Sequence, residues 1–471
     1  MKRSTPHGYA IAVGLAIAAP LHAQEASTME LSVPYSAFTL DNGLRVLVHE
    51  DHSVPIAAVN VWYRVGSANE LPGRTGFAHL FEHLMFEGSA NVPEGEFDNL
   101  LESAGGINNG STNSDRTNYW ETVPANAVEL ALWLEADRMG GLLEAMTQEK
   151  LDAQRSVVQN ERRQSYENRP YGLAWETVLA ELYPPTHPYN WPTIGSMADL
   201  EAASMEDVRR FFRTYYAPNN AILAVAGDVT VAQVRELVER HFEHIARGPA
   251  VPPIDAPLVA LDVDRRRVLE DEVTLPRLYM VWHSPAYFAP GDAEMDVIAR
   301  VLADGKTSRL YRRLVYERQT AQEVSAFQSS GQLGSSFWVV VTARPGVDLD
   351  DMELAVREEV ARLAAEGASA REVERSVNGI ETGFVDALQT VGGFGGKADR
   401  LNFYEFYVGD PGFVQQDLAR YSAITADDLR ERVRRHLADE QAVVLSVVPR
   451  GEPGLAAGAE ETPRRAEREA S

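Results

Sequence analysis

The sequence predicts two similar domains, each mixing strands with helices, and three observations carry that expectation. At 471 residues the chain exceeds what one hydrophobic core usually supports, so two domains of about 200 residues are expected. A proline-rich break, Gly248-Pro-Ala-Val-Pro-Pro-Ile-Asp-Ala-Pro257, lies near the middle. The segment beyond it loosely repeats the order of strand and helix patterns found before it, as an internal duplication would. The expected boundaries are 30–247 for the first domain, 248–262 for the linker and 263–449 for the second domain. A tail over 450–471, rich in Glu, Ala, Arg and Pro, is expected to be disordered.

The chain opens with Met1-Lys2-Arg3, an apolar run from Tyr9 to Leu21 and a small-residue exit at His22-Ala23-Gln24. A charged start, a short apolar segment and a small-residue site predict a secretory signal peptide over 1–23, and with it a periplasmic location. No later stretch approaches the roughly 18 uninterrupted apolar residues of a membrane helix. Forty-four basic against 69 acidic side chains give a formal charge of −25, which argues against nucleic acid and anionic membrane surfaces as partners. The chain has no cysteine. Disulfides, a thiolate nucleophile and cysteine-ligated metal are therefore excluded, which leaves His, Asp and Glu as metal donors.

Along the first half, alternation over 36–49 around Asn42-Gly43 predicts a hairpin. A second strand is predicted over 56–63, and a helix begins past Pro72-Gly73. A polar, strand-like stretch follows Gly105-Gly106 from Asn108 to Trp120. Helical periodicity covers 126–143 and 148–167. A buried strand within 216–228 and an amphipathic helix over 231–246 close this half. In the second half, strands are predicted near 267–272, 278–282, 337–343 and 442–448. Helices are predicted over 293–302, 308–316, 350–366 and 370–388.

The helix past Pro72-Gly73 holds the most informative residues, Gly76-Phe-Ala-His79-Leu-Phe-Glu82-His83-Leu-Met-Phe86. His79 and His83 are four apart and share one helix face, with Glu82 beside them. The spacing H-x-x-E-H is the inverted form of the zinc helix. Two imidazoles suit Zn²⁺, and the carboxylate is placed to take a proton from a water that the metal activates. Alone, one buried histidine is ordinarily a satisfied core residue. Three ionisable groups among Gly, Ala, Leu, Phe and Met would each need a buried partner, and a single metal satisfies them together. Catalytic zinc takes three protein donors and leaves one position open. On the helix that follows, Leu151, Val157 and Val158 mark an apolar face, and Glu161 falls three to four residues beyond the valines. A carboxylate on that stripe is costly unless it meets a cation or a metal, which favours Glu161 over Glu149, Asp152 or Glu167. The competing account is an ion pair to Arg116 or Arg162.

With these residues in place, the chain resembles the pitrilysin/insulinase family of inverted zincin metallopeptidases, which includes the mitochondrial processing peptidases. The resemblance spans roughly 35 to 448. It rests on Leu40-Asp-Asn-Gly43-Leu44, the block Gly76 to Gly88, Asn109-Gly-Ser-Thr112 with Asp115-Arg-Thr-Asn-Tyr119, Val157-Val-Gln-Asn-Glu161, and Tyr215-Tyr-Ala-Pro-Asn-Asn220 leading to Gly227-Asp228. It implies an α+β fold of two domains, each a mostly antiparallel sheet with helices packed on one face. It implies His79, His83 and Glu161 as zinc ligands, Glu82 as general base, and Asn109 and Gly110 on an edge strand that pairs with an extended peptide substrate. The small side chains beyond Gly106 independently suit the approach of a peptide backbone. The second domain would be peptidase-like without metal.

Two positions depart from the family pattern. A second glutamate seven residues before the third ligand is replaced by Gln154. The Arg and Tyr that members working alone carry in a later domain align with Val315 and Gln322, neither of which can replace them. Tyr311 and Arg318 have the same separation in reverse order. The resemblance therefore implies the zinc-bearing subunit of a two-chain endopeptidase, whose homologous partner supplies the Arg/Tyr pair, or a self-dimer. The alternative is a non-catalytic interaction subunit that keeps the peptidase fold.

Overall fold

The computed structural model describes residues 31–254, 256–257 and 259–458. The signal peptide expected over 1–23 and residues 459–471 of the expected tail lie outside these residues.

Eleven strands among the described residues form two sheets. The first contains β1 (Ser36–Thr39), β2 (Arg45–Glu50), β3 (Ile56–Tyr63), β4 (Ile107–Thr112), β5 (Thr117–Pro124) and β6 (Ala221–Gly227), in the order β1-β2-β6-β3-β5-β4. The second contains β7 (Arg265–Asp271), β8 (Arg277–Ser284), β9 (Ala321–Ser329), β10 (Ser335–Ala343) and β11 (Val443–Pro449), in the order β7-β11-β8-β10-β9. Without β1, the two orders are the same. In both, the last strand in sequence inserts beside the first and runs parallel to it, as β6 does with β2 and β11 with β7. All other pairs are antiparallel. The loose repeat in the sequence is thus a repeat of topology, in an α+β architecture with mostly antiparallel sheets.

The helices of the first half are α1 (Phe77–Leu84), α2 (Glu96–Ser103), α3 (Val128–Ala145), α4 (Gln148–Arg162), α5 (Ala174–Leu182), α6 (Met197–Glu201), α7 (Met205–Tyr215) and α8 (Val231–Phe242). Those of the second half are α9 (Asp292–Ala303), α10 (Asp350–Glu366), α11 (Ala370–Ala387), α12 (Lys397–Tyr407), α13 (Val414–Ser422) and α14 (Ala426–Val433). Strand β6 is apolar at every position because both faces of its sheet are buried. Leu223 and Val225 join the core beneath α1, α3 and α8, whereas Ile222, Ala224 and Ala226 face Ala398, Leu401 and Phe406 on and beside α12. The second sheet is covered reciprocally: Val178, Leu179 and Leu182 of α5 pack on Tyr279, Val281, Val443 and Leu445. Each sheet therefore carries the predicted helical layer on one face and, in addition, a helix from the other half on its second face. Periodicity shows that a helix face is apolar, but not which sheet it will cover.

The polar stretch over 108–120 is a hairpin rather than one strand. Asn113 Oδ1 accepts the backbone N–H of Asp115 at 2.8 Å and of Arg116 at 2.9 Å, so the asparagine side chain closes the turn between β4 and β5. The neighbouring Asp115 is buried and joins the two halves. It accepts from the Tyr189 hydroxyl, from Gln332 N at 2.9 Å and from the Tyr407 hydroxyl at 3.1 Å. The β4–β5 turn is thereby tied to the β9–β10 turn. Residues 450–458, at the start of the tail expected to be disordered, instead pack back on the second sheet. Ala456 and Ala457 are buried, and Ala457 N donates to Ser446 Oγ at 3.0 Å. Among the described residues, no helix is long and apolar enough to cross a membrane.

Candidate metal centre

Helix α1 is apolar on the face that meets the sheet, where Phe77, Ala78, Leu80, Phe81 and Leu84 are buried, and it turns His79, Glu82 and His83 toward α4 and β4. Its N-cap is Gly76 in the left-handed region, φ 87°, so no side chain at that position caps the helix. Glu70 does so from upstream. Its carboxylate accepts Gly76 N at 3.0 Å, Ala78 N at 2.8 Å and Trp191 Nε1 at 3.0 Å. Burial pushes the Glu70 carboxyl up to about 8 against the pull of these three donors. Glu70→Ala strips an acceptor from three N–H groups, and is expected to cost about 2–3 kcal/mol in urea unfolding. A loss below about 0.5 kcal/mol would show that the cap contributes nothing to the helix.

Three donor atoms converge between α1 and α4. Glu161 Oε2 lies 3.6 Å from His79 Nε2 and 3.5 Å from His83 Nε2. One ligand atom from each residue lies within 4.8 Å of the other two. A tetrahedral ion with donors at 2.0–2.2 Å requires them to be about 3.4 Å apart. The spacing and the donor set, two imidazole nitrogens and one carboxylate oxygen, therefore fit zinc. Burial pushes His79 down to about 4, which leaves its ring neutral and able to offer a lone pair near pH 7. Burial also lowers His83, but the hydrogen bond and charge of Glu161 outweigh it and the net shift is upward. The same hydrogen bond lowers Glu161.

On α4 the face toward the core is narrower than the sequence suggests. Val158 is buried, but Val157 is 44% exposed, so Glu161 shares its stripe with Leu151, Gln154 and Val158 and not with Val157. The ion-pair alternative for Glu161 is not what the structure contains. Arg162 donates to Gly195 O at 2.7 Å and Glu176 Oε2 at 2.8 Å, and Arg116 donates to Ser111. Gln154, at the position of the missing glutamate, donates to Glu87 Oε1 at 2.6 Å and also contacts His83.

Glu82 is not one of the converging donors and lies beside them, against β4. Thr112 hydrogen-bonds its carboxylate, and a Cβ added to Gly110 would lie 3.3 Å from Glu82 Cγ. Burial raises Glu82, opposed by Thr112 and by the charges of His83 and Arg116. Strand β4 is the edge of its sheet. Asn109 pairs with Trp120 and Gly110 with Tyr119, which places both predicted residues on that edge, and Asn109 Oδ1 accepts Gly110 N–H at 2.8 Å. A separate cavity of about 480 Å³, lined by Glu70, Phe77, Trp191 and Pro253 among others, opens beside the N-terminus of α1 and includes none of the donor residues. Val315 and Gln322, aligned with the absent Arg/Tyr pair, lie on a short π-helix, Tyr311–Glu317, and at the start of β9, where Gln322 is exposed. Sequence reasoning missed Glu70 and Thr112. A glycine at the N-cap and a lone acid six residues earlier were the available signal for Glu70.

Two family descriptions match the chain, Insulinase (Peptidase family M16) over residues 45–187 and Peptidase M16 inactive domain over 202–380. The zinc protease PqqE of Helicobacter pylori is 32% identical over 341 residues, 72% of this chain and 75% of that protein. Among solved structures, a protease from Helicobacter pylori superposes with a TM-score of 0.83 at 26% identity, covering 89% of this chain and all of that one. The periplasmic protease PqqL from Escherichia coli superposes with a TM-score of 0.71 at 20% identity, over 89% of this chain but 48% of its own.

Proposed function

The chain belongs to the insulinase family, peptidase family M16, and from that premise we propose that it is a zinc-dependent endopeptidase acting on peptides or unfolded segments. The observation that carries this reading is the convergence of His79, His83 and Glu161 beside Glu82, on the side of α1 that borders a free strand edge. His79 and His83 would hold the ion from α1, and Glu161 from α4. Bound there, zinc would supply Lewis acidity, lowering the pKa of a water and offsetting negative charge on the scissile carbonyl oxygen. Glu82 takes the proton from the attacking water and returns it to the leaving amine. An extended peptide adds to β4 at Asn109 and Gly110, where the absence of a side chain on Gly110 lets the scissile bond approach Glu82.

The second half contributes no His/Glu group of this kind among the described residues, in keeping with the inactive-domain description that it matches. Val315 and Gln322 leave the chain without an Arg/Tyr pair, and the PqqL chain is about twice the length matched here. Both favour an active form that includes a homologous subunit supplying that pair, or a second copy. The site of action is the periplasm, on the strength of the N-terminal segment. The rival reading, an interaction subunit without catalysis, leaves a complete donor set without a purpose.

Elemental analysis of the purified chain and its complexes, paired with cleavage of a quenched fluorescent peptide, tests the proposal. About one zinc per chain is expected, with cleavage lost on chelation and restored by zinc. A chain that binds no zinc, or cleavage that survives its removal, would refute it. Full activity of the isolated chain, with no partner bound, would refute the need for a second subunit.

A further inference from the structure

The face of the first sheet turned away from α1 has a defined row structure. Ile107, Asn109 and Ser111 on β4 pair with Thr122, Trp120 and Asn118 on β5, which pair in turn with Ala58, Asn60 and Trp62 on β3. Helix α12 covers the β3 and β6 part of this face, and the glycine-rich segment 389–396 leading into α12 reaches over β5. Gly392 sits so close that a Cβ would come within 2.2 Å of Thr122 Oγ1. Gly395 N is held at 2.8 Å by Asp399, which also accepts Trp62 Nε1 at 2.8 Å and Asn118 Nδ2 at 3.2 Å. Between these anchors Phe394 projects from a backbone whose flanking residues, Gly393 and Gly395, have φ of 77° and 76°.

Phe394 is 51% exposed, and its ring meets Trp120 edge-on at 5.5 Å. Trp120 is itself buried, yet its indole N–H has no acceptor. One strand further out on the same face, Ile107 is 62% exposed. Three apolar groups thus border the free edge of β4 on the side opposite the converging donors.

Resting on the reading that an extended peptide adds to β4, we propose that Phe394, with Trp120 and Ile107, forms a specificity subsite for a large apolar side chain of the substrate. The side chain is an aromatic or long aliphatic one, on a residue that faces away from the metal donors. A strand added to β4 lies about 4.8 Å beyond it and alternates its side chains between the two faces. Residues opposite Gly110 turn toward Glu82. Their neighbours turn to the face of Ile107, Asn109 and Ser111. A residue opposite Asn109 lies two strand spacings, about 10 Å, from Trp120, with only the short Asn109 side chain between them. A Phe, Tyr or Leu side chain entering from the added strand meets the Phe394 ring extending from the other side. The free indole N–H gives a carbonyl entering there an unoccupied donor once Phe394 shifts.

The test uses the full chain carrying Glu82→Gln, loaded with zinc, and short fluorescein-labelled peptides in which Phe, Ala or Glu is placed at each position in turn. Anisotropy titrations should show Phe favoured over Ala about tenfold at positions of one alternation only. Adding Phe394→Ala should abolish that preference, with zinc content and the other alternation unchanged, and Phe394→Leu should retain most of it. Peptides that bind with the preference intact after Phe394→Ala would overturn the subsite and leave strand addition standing. Failure of every peptide to bind the zinc-loaded chain would remove strand addition, and the subsite with it.

Discussion

Glu82→Gln is expected to lower turnover by about a thousandfold or more, while bound zinc, stability and peptide affinity stay close to those of the parent chain. The separation of effects follows from where the side chain lies. The atoms that converge belong to His79, His83 and Glu161, and Glu82 is not among them. Its carboxylate leans on Thr112 beside Gly110. Glutamine has the same shape and keeps an oxygen for the Thr112 hydroxyl, so α1 and the β4 edge should not move. What it cannot do is take up a proton. Burial holds the Glu82 carboxyl above its ordinary value, which strengthens it as a base and brings it nearer the working range of a group that must both accept and return a proton. Single-turnover cleavage under saturating enzyme, with elemental analysis of the same samples, separates chemistry from metal loss. Cleavage near the parental rate with zinc still bound would remove Glu82 from the reaction.

How much of this was legible in the sequence depended on whether the local pattern and the tertiary environment agreed. Strand β3 and helix α10 occupy the predicted 56–63 and 350–366, because one is an apolar run bounded by turn residues and the other a long periodic segment. Strand β9 was not foreseen. It is a sheet edge with Gln322, Glu323 and Phe327 turned to solvent, and it shows no continuous apolar run. Strand β4 reads as strand-like despite Asn-Asn-Gly-Ser-Thr, and its polarity has the same origin, an edge with only one paired side. At the candidate centre, His79, Glu82 and His83 followed from spacing within one helix. Glu161 could be singled out only as a carboxylate too close to an apolar stripe, and that stripe was drawn one residue too wide at Val157. Glu70 and Thr112 act through contacts that close across the fold, so no sequence period marks them. The crossing of α5 and α12 onto each other's sheets was equally invisible, since an amphipathic helix records the presence of a buried face and not its partner.

Arg138→Met is expected to cost about 3–5 kcal/mol, because it leaves two carboxylates without a cation in the core. Arg138, Glu121 and Glu135 are each at most 1% exposed. The guanidinium donates to Glu135 through Nε at 2.9 Å and again through Nη2, and to Glu121 through Nη2 at 3.2 Å. It also lies over the rings of Phe97 at 4.5 Å and Tyr119 at 4.3 Å. Two carboxylates cannot both ionise against one cation here. Burial, reinforced by the neighbouring Glu135, pushes Glu121 well up and outweighs the opposing charge of Arg138. The sign of the pH effect follows. A carboxyl raised in the native state contributes stability that is present below its unfolded value and is lost as pH rises toward its folded value. The stability that the raised Glu121 carboxyl contributes in the parent chain should therefore fall as pH rises from about 5 to 8. Urea unfolding at the two values checks this, and adding Glu121→Gln and Glu135→Gln should recover much of the loss. A deficit below about 1 kcal/mol at both values would mean the trio is not held as described. The consequence extends to the candidate centre, because the guanidinium stacks on Tyr119, the ring that Gly110 rests against opposite Glu82. Arg138 thus supports the ring against which the edge strand lies, and zinc-loaded Arg138→Met should lose peptide affinity before it loses metal.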